Sequence, residues 1–457
     1  MKGRGMRDVG VAAGKIFHAE AQRGGVAERM KPSGIPWIGD IPEGWEVVRL
    51  KGVLARPLQY GASESGVGYD KALPRYIRIT DITLDGKLKD EGALSLTEES
   101  ALDYILQDQD ILLARSGATV GKAFLYEKQM GRAAFAGYLI RATVDVAKAL
   151  PRFVYYTTLG CGYDDWRNSI AVSATIQNIG ADKYNNYSLP IPSIEEQKVI
   201  ADYLDEKCAA LDAAVAEVKK GIEEYKAWKT SLIDDIVCNG ITRRDSKKET
   251  GEVWLANIPE EWNFTQIRYL FALRDERNDK PLKDVNLISL YTDKGVVQHS
   301  DLEKTTGNKA STADGYKLVC ENDIVVNIIL CWMGAVGRSA YNGVTSPAYD
   351  VYRPIDPTKV LSRYYHYLFR TPRFNGKCYE EGRGIMMMRW RTYSSEFRAI
   401  KVPVPSIEEQ QAIADYLDEK CAAIDAMVAE KEALIADLEA YKKSLIYEVV
   451  TGKREVA

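Results

Sequence analysis

Residues with catalytic potential occur in this chain, but none of them is set in a complete catalytic pattern. Gly117–Ala123 is one residue short of the phosphate-loop pattern G-x-x-x-x-G-K-[ST], and Ala123 stands where a hydroxyl would meet magnesium. Asp108 and Asp110 have no lysine set in a strand beside them, which favours turn and capping roles. The seven cysteines form no C-x-x-C pair, and the three histidines lie far from them, so no zinc site is predicted. We therefore expect no catalytic residue, no metal and no cofactor.

Six residues in the first half of the chain have side chains suited to DNA. These candidates are Arg115, Ser116, Thr119, Lys122, Gln177 and Asn178. Arginine suits a guanine edge or a phosphate, hydroxyls are small donors, lysine suits the backbone, and Gln and Asn suit adenine. One alternative is a tight hairpin, in which Gly117 and Gly121 only meet a need for positive φ. The other is a Gln–Asn pair that caps backbone groups.

A basic and aromatic stretch lies in the second half of the chain. Residues 363–401 include nine basic residues, three acidic residues and nine aromatic residues. This composition predicts phosphate binding, with a solvated basic face as the alternative. The candidates in this half are Arg338, Arg383, Arg389 and Arg391. Met386–Met388 are expected to pack in a core, with an apolar wedge at a base step as the alternative.

The chain contains an internal repeat. Pro192–Asp212 returns as Pro405–Asp425 at an offset of 213 residues, with three differences in 21 positions. Trp37–Trp45 likewise returns as Trp254–Trp262. The chain is therefore two copies of one unit, in which a variable region is followed by a near-identical segment.

One core pattern survives inside the variable regions. Asp110–Lys122 has a counterpart that begins at Asp323 and, three residues longer, ends with Gly334–Arg338. Aliphatic runs that close on glycines predict a buried strand, a turn and a second strand. Short helices are predicted at Phe153–Leu159 and Arg363–Phe369, so each variable region is predicted to be α+β. In this pattern Arg338 is matched with Lys122.

The repeated segments are predicted to be long helices. Ser193 with Glu196, and Ser406 with Glu409, form S-x-x-E capping boxes at their starts. An apolar heptad seam follows in each segment. The residues that interrupt the seam are Lys229, Lys431 and Lys442. Because a narrow seam on a charged helix about 65 Å long favours a partner helix, we expect antiparallel pairing of the two copies, with packing on separate cores as the alternative.

Acidic residues are concentrated in the repeated segments. Residues 193–250 hold ten basic and thirteen acidic residues, 405–457 hold six and twelve, and 251–404 hold 21 and 18. Phosphate would repel an acidic helix pair, so the helices are expected to face protein partners. The longest apolar run, Ile324–Val336, is shorter than the about 20 residues that span a bilayer. Together with the unpaired cysteines, this predicts a cytoplasmic protein with no membrane contact.

The tandem motifs resemble those of one known family. W-x-x-x-I-P-x-x-W, D-I-L-L-A-R-S-G-A-T-V-G-K and P-S-I-E-E-Q-x-x-I-A-D-Y-L-D closely resemble the specificity (S) subunit of Type I restriction-modification systems. The resemblance covers about residues 31–457, in the order and copy number of that family.

This resemblance implies a non-catalytic subunit that gives a Type I restriction-modification complex its DNA sequence specificity. Each variable region would be a target-recognition domain that reads one half-site of an asymmetric bipartite target in double-stranded DNA. The repeated helices would dock two methyltransferase (M) subunits, and restriction-translocation (R) subunits would join them to make the nuclease. The predicted partner-binding residues are Glu195, Glu196, Gln197, Tyr203, Glu408, Glu409, Gln410 and Tyr416.

The predicted fold class is α+β, with two globular target-recognition domains separated by a long antiparallel two-helix coiled coil and related by an internal pseudo-two-fold repeat. The predicted segments are an N-terminal extension, disordered or a non-native start (1–30), the first target-recognition domain (31–192), the first spacer helix and linker (193–250), the second target-recognition domain (251–404) and the second spacer helix (405–457). Two other functions stay open: a coiled-coil protein-interaction scaffold, and a stand-alone DNA-modifying enzyme with an unrecognised active site.

Overall fold

The structure is a computed structural model that describes residues 29–83, 86–117, 120–171, 178–301, 312–384 and 390–456. Most of the predicted N-terminal extension, up to residue 28, lies outside these ranges. Within the described ranges, no helix is both long and apolar enough to cross a membrane. The chain divides into two compact units, Met1–Glu217 with Leu434–Ala457, and Val218–Ala433.

Both units mix short strands with helices, which confirms the predicted α+β class. The strands of the first unit are β1 (Met30–Pro32), β2 (Asp40–Pro42), β3 (Glu46–Arg49), β4 (Gln59–Tyr60), β5 (Val67–Gly68), β6 (Arg75–Ile77), β7 (Leu94–Ser95), β8 (Ile111–Ala114), β9 (Ala123–Leu125), β10 (Ala133–Phe135), β11 (Leu139–Ala142) and β12 (Ser188–Ile191). Its shorter helices are α1 (Glu98–Ala101), α2 (Pro151–Thr157), α3 (Cys161–Ala171) and α4 (Ala181–Asn185).

Two long helices, α5 (Ile194–Asn239) and α9 (Ile407–Val450), each contribute one part to each unit. The strands of the second unit are β13 (Lys247–Glu249), β14 (Asn257–Pro259), β15 (Asn263–Gln266), β16 (Phe271–Arg274), β17 (Ile288–Tyr291), β18 (Gly295–Gln298), β19 (Lys317–Val319), β20 (Ile324–Asn327), β21 (Val336–Arg338), β22 (Gly343–Thr345), β23 (Tyr349–Pro354) and β24 (Lys401–Val404). Its shorter helices are α6 (Ser362–Leu368), α7 (Pro372–Glu381) and α8 (Ser394–Ala399).

The two units share one pattern of strand pairing. The first unit holds a four-stranded sheet in the order β4-β11-β8-β9, and the second holds β16-β23-β20-β21 in the corresponding order. The ladders β3-β12 and β15-β24 also correspond. The ladders β1-β2 and β13-β14 correspond as well. The remaining strands differ: the first unit joins β10, β6, β7 and β5 in one sheet, whereas the second has separate ladders β17-β18 and β19-β22. The internal repeat therefore extends into the variable regions as a shared frame, which we define as the four-stranded sheet with its adjoining ladder.

The predicted strand, turn and second strand form one side of each four-stranded sheet, with β8 and β20 as inner strands and β9 and β21 at the edge. β8 and β20 are buried along their whole length, which accounts for their nearly unbroken aliphatic sequences. Leu113 pairs with Ala123 in the first unit, and Val326 pairs with Val336 in the second. Both partners shift by 213 residues, which is also the offset of the repeated helices. The turns between the paired strands are therefore equal in length.

The prediction that the second turn is three residues longer is wrong. With turns of equal length, Gly334 corresponds to Gly121, and these glycines have positive φ of 88° and 82°. Arg338 then corresponds to Leu125 and not to Lys122. The two turns share a glycine only where the backbone enters a conformation that a Cβ disfavours. An alignment that pairs Gly337 and Arg338 with Gly121 and Lys122 is therefore shifted by three residues.

α5 and α9 pack against each other in opposite directions within each unit. Lys442 Nζ lies 2.7 Å from Asp212 in the first unit, and Lys229 Nζ lies 2.7 Å from Asp425 in the second. The start of each long helix also shares an apolar cluster with the end of the other. These contacts confirm the predicted antiparallel pairing. The third lysine that was predicted to interrupt the seam, Lys431, lies over an aromatic ring of the facing helix.

The start of α5 is tied to the first unit by hydrogen bonds that we call the helix-start clasp. Trp45 Nε1 donates to the Glu196 carboxylate at 3.0 Å. Gln197 is fully buried, accepts a hydrogen bond from the Leu150 N–H at 2.7 Å, and donates one to the Pro192 carbonyl at 2.9 Å. One side chain therefore satisfies backbone groups from two other segments.

The second unit repeats the clasp at the start of α9. Trp262 Nε1 donates to the Glu409 carboxylate at 2.9 Å. Gln410, also fully buried, accepts from the Leu361 N–H at 2.8 Å and donates to the Pro405 carbonyl at 3.0 Å. The two sequence signatures that recur together, the tryptophan motif and P-S-I-E-E-Q, are thus bonded to each other.

Serine caps begin both long helices. The Ser193 hydroxyl accepts the Glu196 N–H at 3.2 Å, and the Ser406 hydroxyl accepts the Glu409 N–H at 3.2 Å. This half of each predicted capping box is confirmed. The carboxylates of Glu196 and Glu409 accept hydrogen bonds from the tryptophans of the clasps.

We predict that Gln197→Leu lowers the free energy of unfolding by about 1–3 kcal/mol, because leucine fills the space but leaves two buried backbone groups without partners. Urea denaturation followed by tryptophan fluorescence measures the change. Lys198→Ala, at the exposed neighbouring position, is the control and should stay within about 0.5 kcal/mol of the parent. A Gln197→Leu variant as stable as the parent would show that the clasp contributes nothing.

Candidate DNA interface

Most of the candidate DNA contacts lie where β8 and β20 end. At this end of each frame, the turn that follows the strand meets a second chain segment. We call residues 115–117 and 120–122 with 178–180 the first tip, and residues 328–335 with 390–392 the second tip. Each tip belongs to one unit, so the two surfaces are described separately.

The two tips occupy equivalent places in the repeat. The Ile179 N–H donates to the Arg115 carbonyl at 2.8 Å in the first tip. The Thr392 N–H donates to the Ile328 carbonyl at 2.9 Å in the second. Donors and acceptors both differ by the 213-residue offset. Segments with different side chains therefore occupy the same position of the shared frame.

The first tip brings three of the predicted contacts together. The Arg115 guanidinium lies 4.8 Å from the centre of the Tyr60 ring, a cation–π distance that orients it. Ser116 pairs with Asn178 in an antiparallel β-bridge. Lys183 Nζ donates to the Asn178 carbonyl at 3.3 Å. The bridge thus brings the three residues together at this end of the sheet, with Asn178 exposed and Arg115 and Ser116 half-buried.

The other candidates of the first half are placed differently. Lys122 Nζ donates to the Ile82 carbonyl at 3.0 Å, so part of its hydrogen-bonding capacity is used within the unit. Gly117 and Gly121 have positive φ of 81° and 82°, which agrees with the tight-turn interpretation of these glycines. Thr119 and Gln177 lie outside the described residues.

The second tip joins a hairpin that carries two of the predicted arginines. Arg383 and Arg391 exchange backbone hydrogen bonds of 2.9 Å in an antiparallel bridge, and both residues are exposed. Arg383 also forms an ion pair with Glu396. Arg389 and Met386–Met388 lie outside the described residues. Two basic residues therefore face each other across an exposed hairpin.

Arg338 lies at the far end of its strand from the second tip. It pairs with Ile324, the first residue of β20, and its guanidinium donates to the Asn322 side chain at 2.7 Å. Burial lowers the pKa of His366 to about 3, so the neutral imidazole accepts the Arg338 N–H at 3.1 Å. The structure does not group this residue with the arginines of the hairpin. It also lies away from the turn in which its match to Lys122 would have placed it.

The second tip also carries an aromatic and apolar ridge that sequence reasoning missed. Tyr379 stacks on Trp390 with ring centres 5.0 Å apart, and it packs against Trp332 at 5.6 Å. Leu330 and Met333 lie on the same turn as Trp332 and are 36% and 49% exposed. We call these five residues the second-tip ridge. They were missed because Leu330 and Met333 belong to an apolar run that is typical of a buried segment.

The predicted partner-binding residues of the long helices divide into two groups. The group inside the helix-start clasps is Glu196, Gln197, Glu409 and Gln410. Glu195 and Glu408 are exposed in the first turn of their helices. Tyr203 and Tyr416 are half-buried, and a lysine ammonium lies 5.5 Å from each ring centre. The second group presents the same chemistry at both helix starts.

Buried acidic residues stabilise the frames. The carboxylates of Asp110 and Asp323 accept the backbone N–H groups of Gln107 and Cys320 at 2.8 and 2.7 Å, which closes the turns before β8 and β20. Burial raises the pKa of Asp323, and the hydrogen bond from Arg274 at 2.7 Å opposes that shift. Over the ranges that the structure describes, no cluster of three His, Cys, Asp or Glu side chains is arranged to hold a metal.

Known proteins match the chain across both copies of the repeat. The family model described as "Type I restriction modification DNA specificity domain" matches residues 42–224 and 259–435. The type I restriction enzyme MjaVIII specificity subunit of Methanocaldococcus jannaschii is 23% identical over 446 residues, which cover 91% of this chain and 94% of that protein. The EcoBI specificity subunit of Escherichia coli is 23% identical over 337 residues, 66% of this chain and 65% of that protein.

A solved structure has the same fold. Its chain comes from a study of complex assembly and conformational transition of the type I R-M system, and it aligns with a TM-score of 0.65 at 13% identity. The alignment covers 91% of this chain and 99% of that one. Because the family matches account for most of the residues and fall once in each copy of the repeat, this chain belongs to the Type I restriction-modification DNA specificity family.

Proposed function

We propose that this chain reads an asymmetric bipartite DNA target, with one half-site for each unit, and supplies no catalytic group of its own. Two methyltransferase (M) subunits would dock at the starts of the two long helices, and restriction-translocation (R) subunits would complete the complex. The observation that carries the proposal is that the two units share one frame and differ at its tips.

The difference between the tips supports two different half-sites. The first tip presents Arg115, Ser116 and Asn178, a set suited to guanine and adenine edges. The hairpin at the second tip presents Arg383 and Arg391, which suit guanine edges and phosphates. Because Arg391 corresponds to Asn178 in the repeat and both stand at the tips of equivalent frames, each unit would approach DNA in the same way and find different bases.

The likeness of the helix starts supports the docking of identical subunits. Glu195 and Glu408 are exposed at equivalent positions, and Tyr203 and Tyr416 each carry a lysine over the ring. The clasps hold these surfaces in a constant position on their frames. An acidic surface of this kind is disfavoured next to phosphate and free to meet protein.

We predict that Arg391→Ala reduces the slope of log affinity against log salt by about 0.9, the value for one lost phosphate contact on duplex DNA. Fluorescence anisotropy at several salt concentrations, with the assembled complex and its target, measures this slope. Arg353→Ala is the matched control, since Arg353 is half-exposed near the opposite end of the same sheet. Equal slopes for Arg391→Ala and the parent would remove Arg391 from the phosphate contacts.

We predict that exchanging residues 251–404 for those of another family member changes one half of the target and leaves the other half intact. The reason is that this segment contains the whole second tip and none of the first. Mapping of methylated bases in a genome that carries the exchanged chain with the methyltransferase subunits identifies both halves. A target that changes in both halves, or in neither, would contradict one half-site per unit.

We predict that Glu195→Lys combined with Glu408→Lys weakens methyltransferase binding at least about tenfold, a loss of about 1.4 kcal/mol. A methyltransferase surface that complements acidic side chains would be repelled by the reversed charge at both helix starts. Sedimentation velocity measures the assembly, and the thermal midpoint reports any loss of folding. Glu217→Lys with Glu430→Lys is the control, because these exposed glutamates are also equivalent in the repeat. If both pairs bind methyltransferase equally, the helix starts are not the docking site.

A further inference from the structure

The second-tip ridge exposes large apolar side chains where the first tip has smaller ones. Through the repeat offset, Leu330 and Met333 correspond to Gly117 and Val120. Single exposed apolar residues are common on proteins, but several at one place indicate a binding surface. At Leu330 and Met333, the second tip therefore offers its ligand larger apolar side chains than the first tip does at Gly117 and Val120.

Internal hydrogen bonds and ring contacts hold the ridge in place. Trp332 Nε1 donates to the Ile329 carbonyl, and Trp390 Nε1 donates to the Tyr379 carbonyl, each at 3.0 Å. Cys331, next to Leu330, is fully buried and anchors the turn. Because the polar atoms of both indoles are satisfied inside the unit, the ridge presents mainly carbon to the exterior.

The charges beside the ridge favour DNA as its ligand. Arg391 directly follows Trp390 of the ridge, and Arg383 is paired with Arg391. Phosphates would complement the charge of these arginines. The apolar faces of the bases would complement the apolar surface of the ridge. The ridge is also continuous with the tip that we propose as the DNA-reading surface.

We propose that Leu330 and Met333 insert as an apolar wedge at one base-pair step of the half-site read by the second unit. The wedge unstacks that step and kinks the duplex, while Arg383 and Arg391 contact phosphates beside it. The inference rests on the proposed DNA-reading function. Because pyrimidine–purine steps unstack most easily, this half-site should contain one at the kink. At the equivalent positions the first unit has Gly117 and Val120, which are too short to form the same wedge.

The test uses the full chain assembled with its methyltransferase subunits and a duplex that contains the mapped target. Energy transfer between dyes at the duplex ends reports bending, and 2-aminopurine placed in either half-site reports unstacking. The parent complex should bend the duplex by about 20–90° and raise 2-aminopurine fluorescence in the second half-site. Leu330→Ser with Met333→Ser should remove most of the bend and of the fluorescence rise, with the salt slope unchanged.

Ile355→Ser is the matched control, because Ile355 is 53% exposed and follows the end of β23 away from the second tip. It should keep both signals. If the parent binds its target but the ridge variant bends and unstacks the duplex as well as the parent does, the wedge is overturned and DNA reading stands. Loss of subunit assembly by the ridge variant would overturn the wedge and identify the ridge as a protein-docking surface. A parent complex that fails to retain the target would overturn the proposed function and the wedge together.

Discussion

The rest of the structure depends on the hydrogen bonds of one buried glutamine at the start of each long helix. Gln197 and Gln410 each satisfy backbone groups that come from different segments of the frame. A buried backbone group without a partner costs about 1–3 kcal/mol, so few other side chains could replace glutamine there. The bonds also determine the direction in which each helix leaves its frame. That requirement accounts for near-identical helix starts behind dissimilar variable regions.

The antiparallel pairing adds a constraint that couples the two copies. The ion pair of Lys442 with Asp212 is equivalent to that of Lys229 with Asp425. The repeat relates the two lysines to each other and the two aspartates to each other. A shift of one helix along the other by a single residue would separate both pairs at once. The lysines that interrupt the apolar seam therefore specify its register, a use of charge that apolar residues alone do not provide.

The sequence predicts the elements well because their signals are local. Heptad spacing, serine caps and aliphatic runs identify α5, α9, β8 and β20, and the 213-residue repeat identifies the pairing of the helices. Arg115, Ser116 and Asn178 were selected by side-chain chemistry, but their proximity depends on a bridge between residues 62 positions apart. The sequence predicts Gln197 as a docking residue, because nothing in it shows that this glutamine on a charged helix is buried. The ridge was missed for the opposite reason, since an apolar run does not reveal which of its members stay exposed.

The clasps and the tips meet two separate requirements. The clasps hold the helix starts in place, and the tips carry the binding side chains. Substitutions at the exposed tips usually change stability by about 0.5 kcal/mol or less, because they leave the buried strands and the carboxylates of Asp110 and Asp323 in place. Substitutions in the clasp expose or orphan buried polar groups and cost several times as much. Binding chemistry can therefore differ between the two units without disturbing the helix starts. A frame that tolerates Gly117 in one tip and Leu330 at the equivalent place in the other is physical support for that separation.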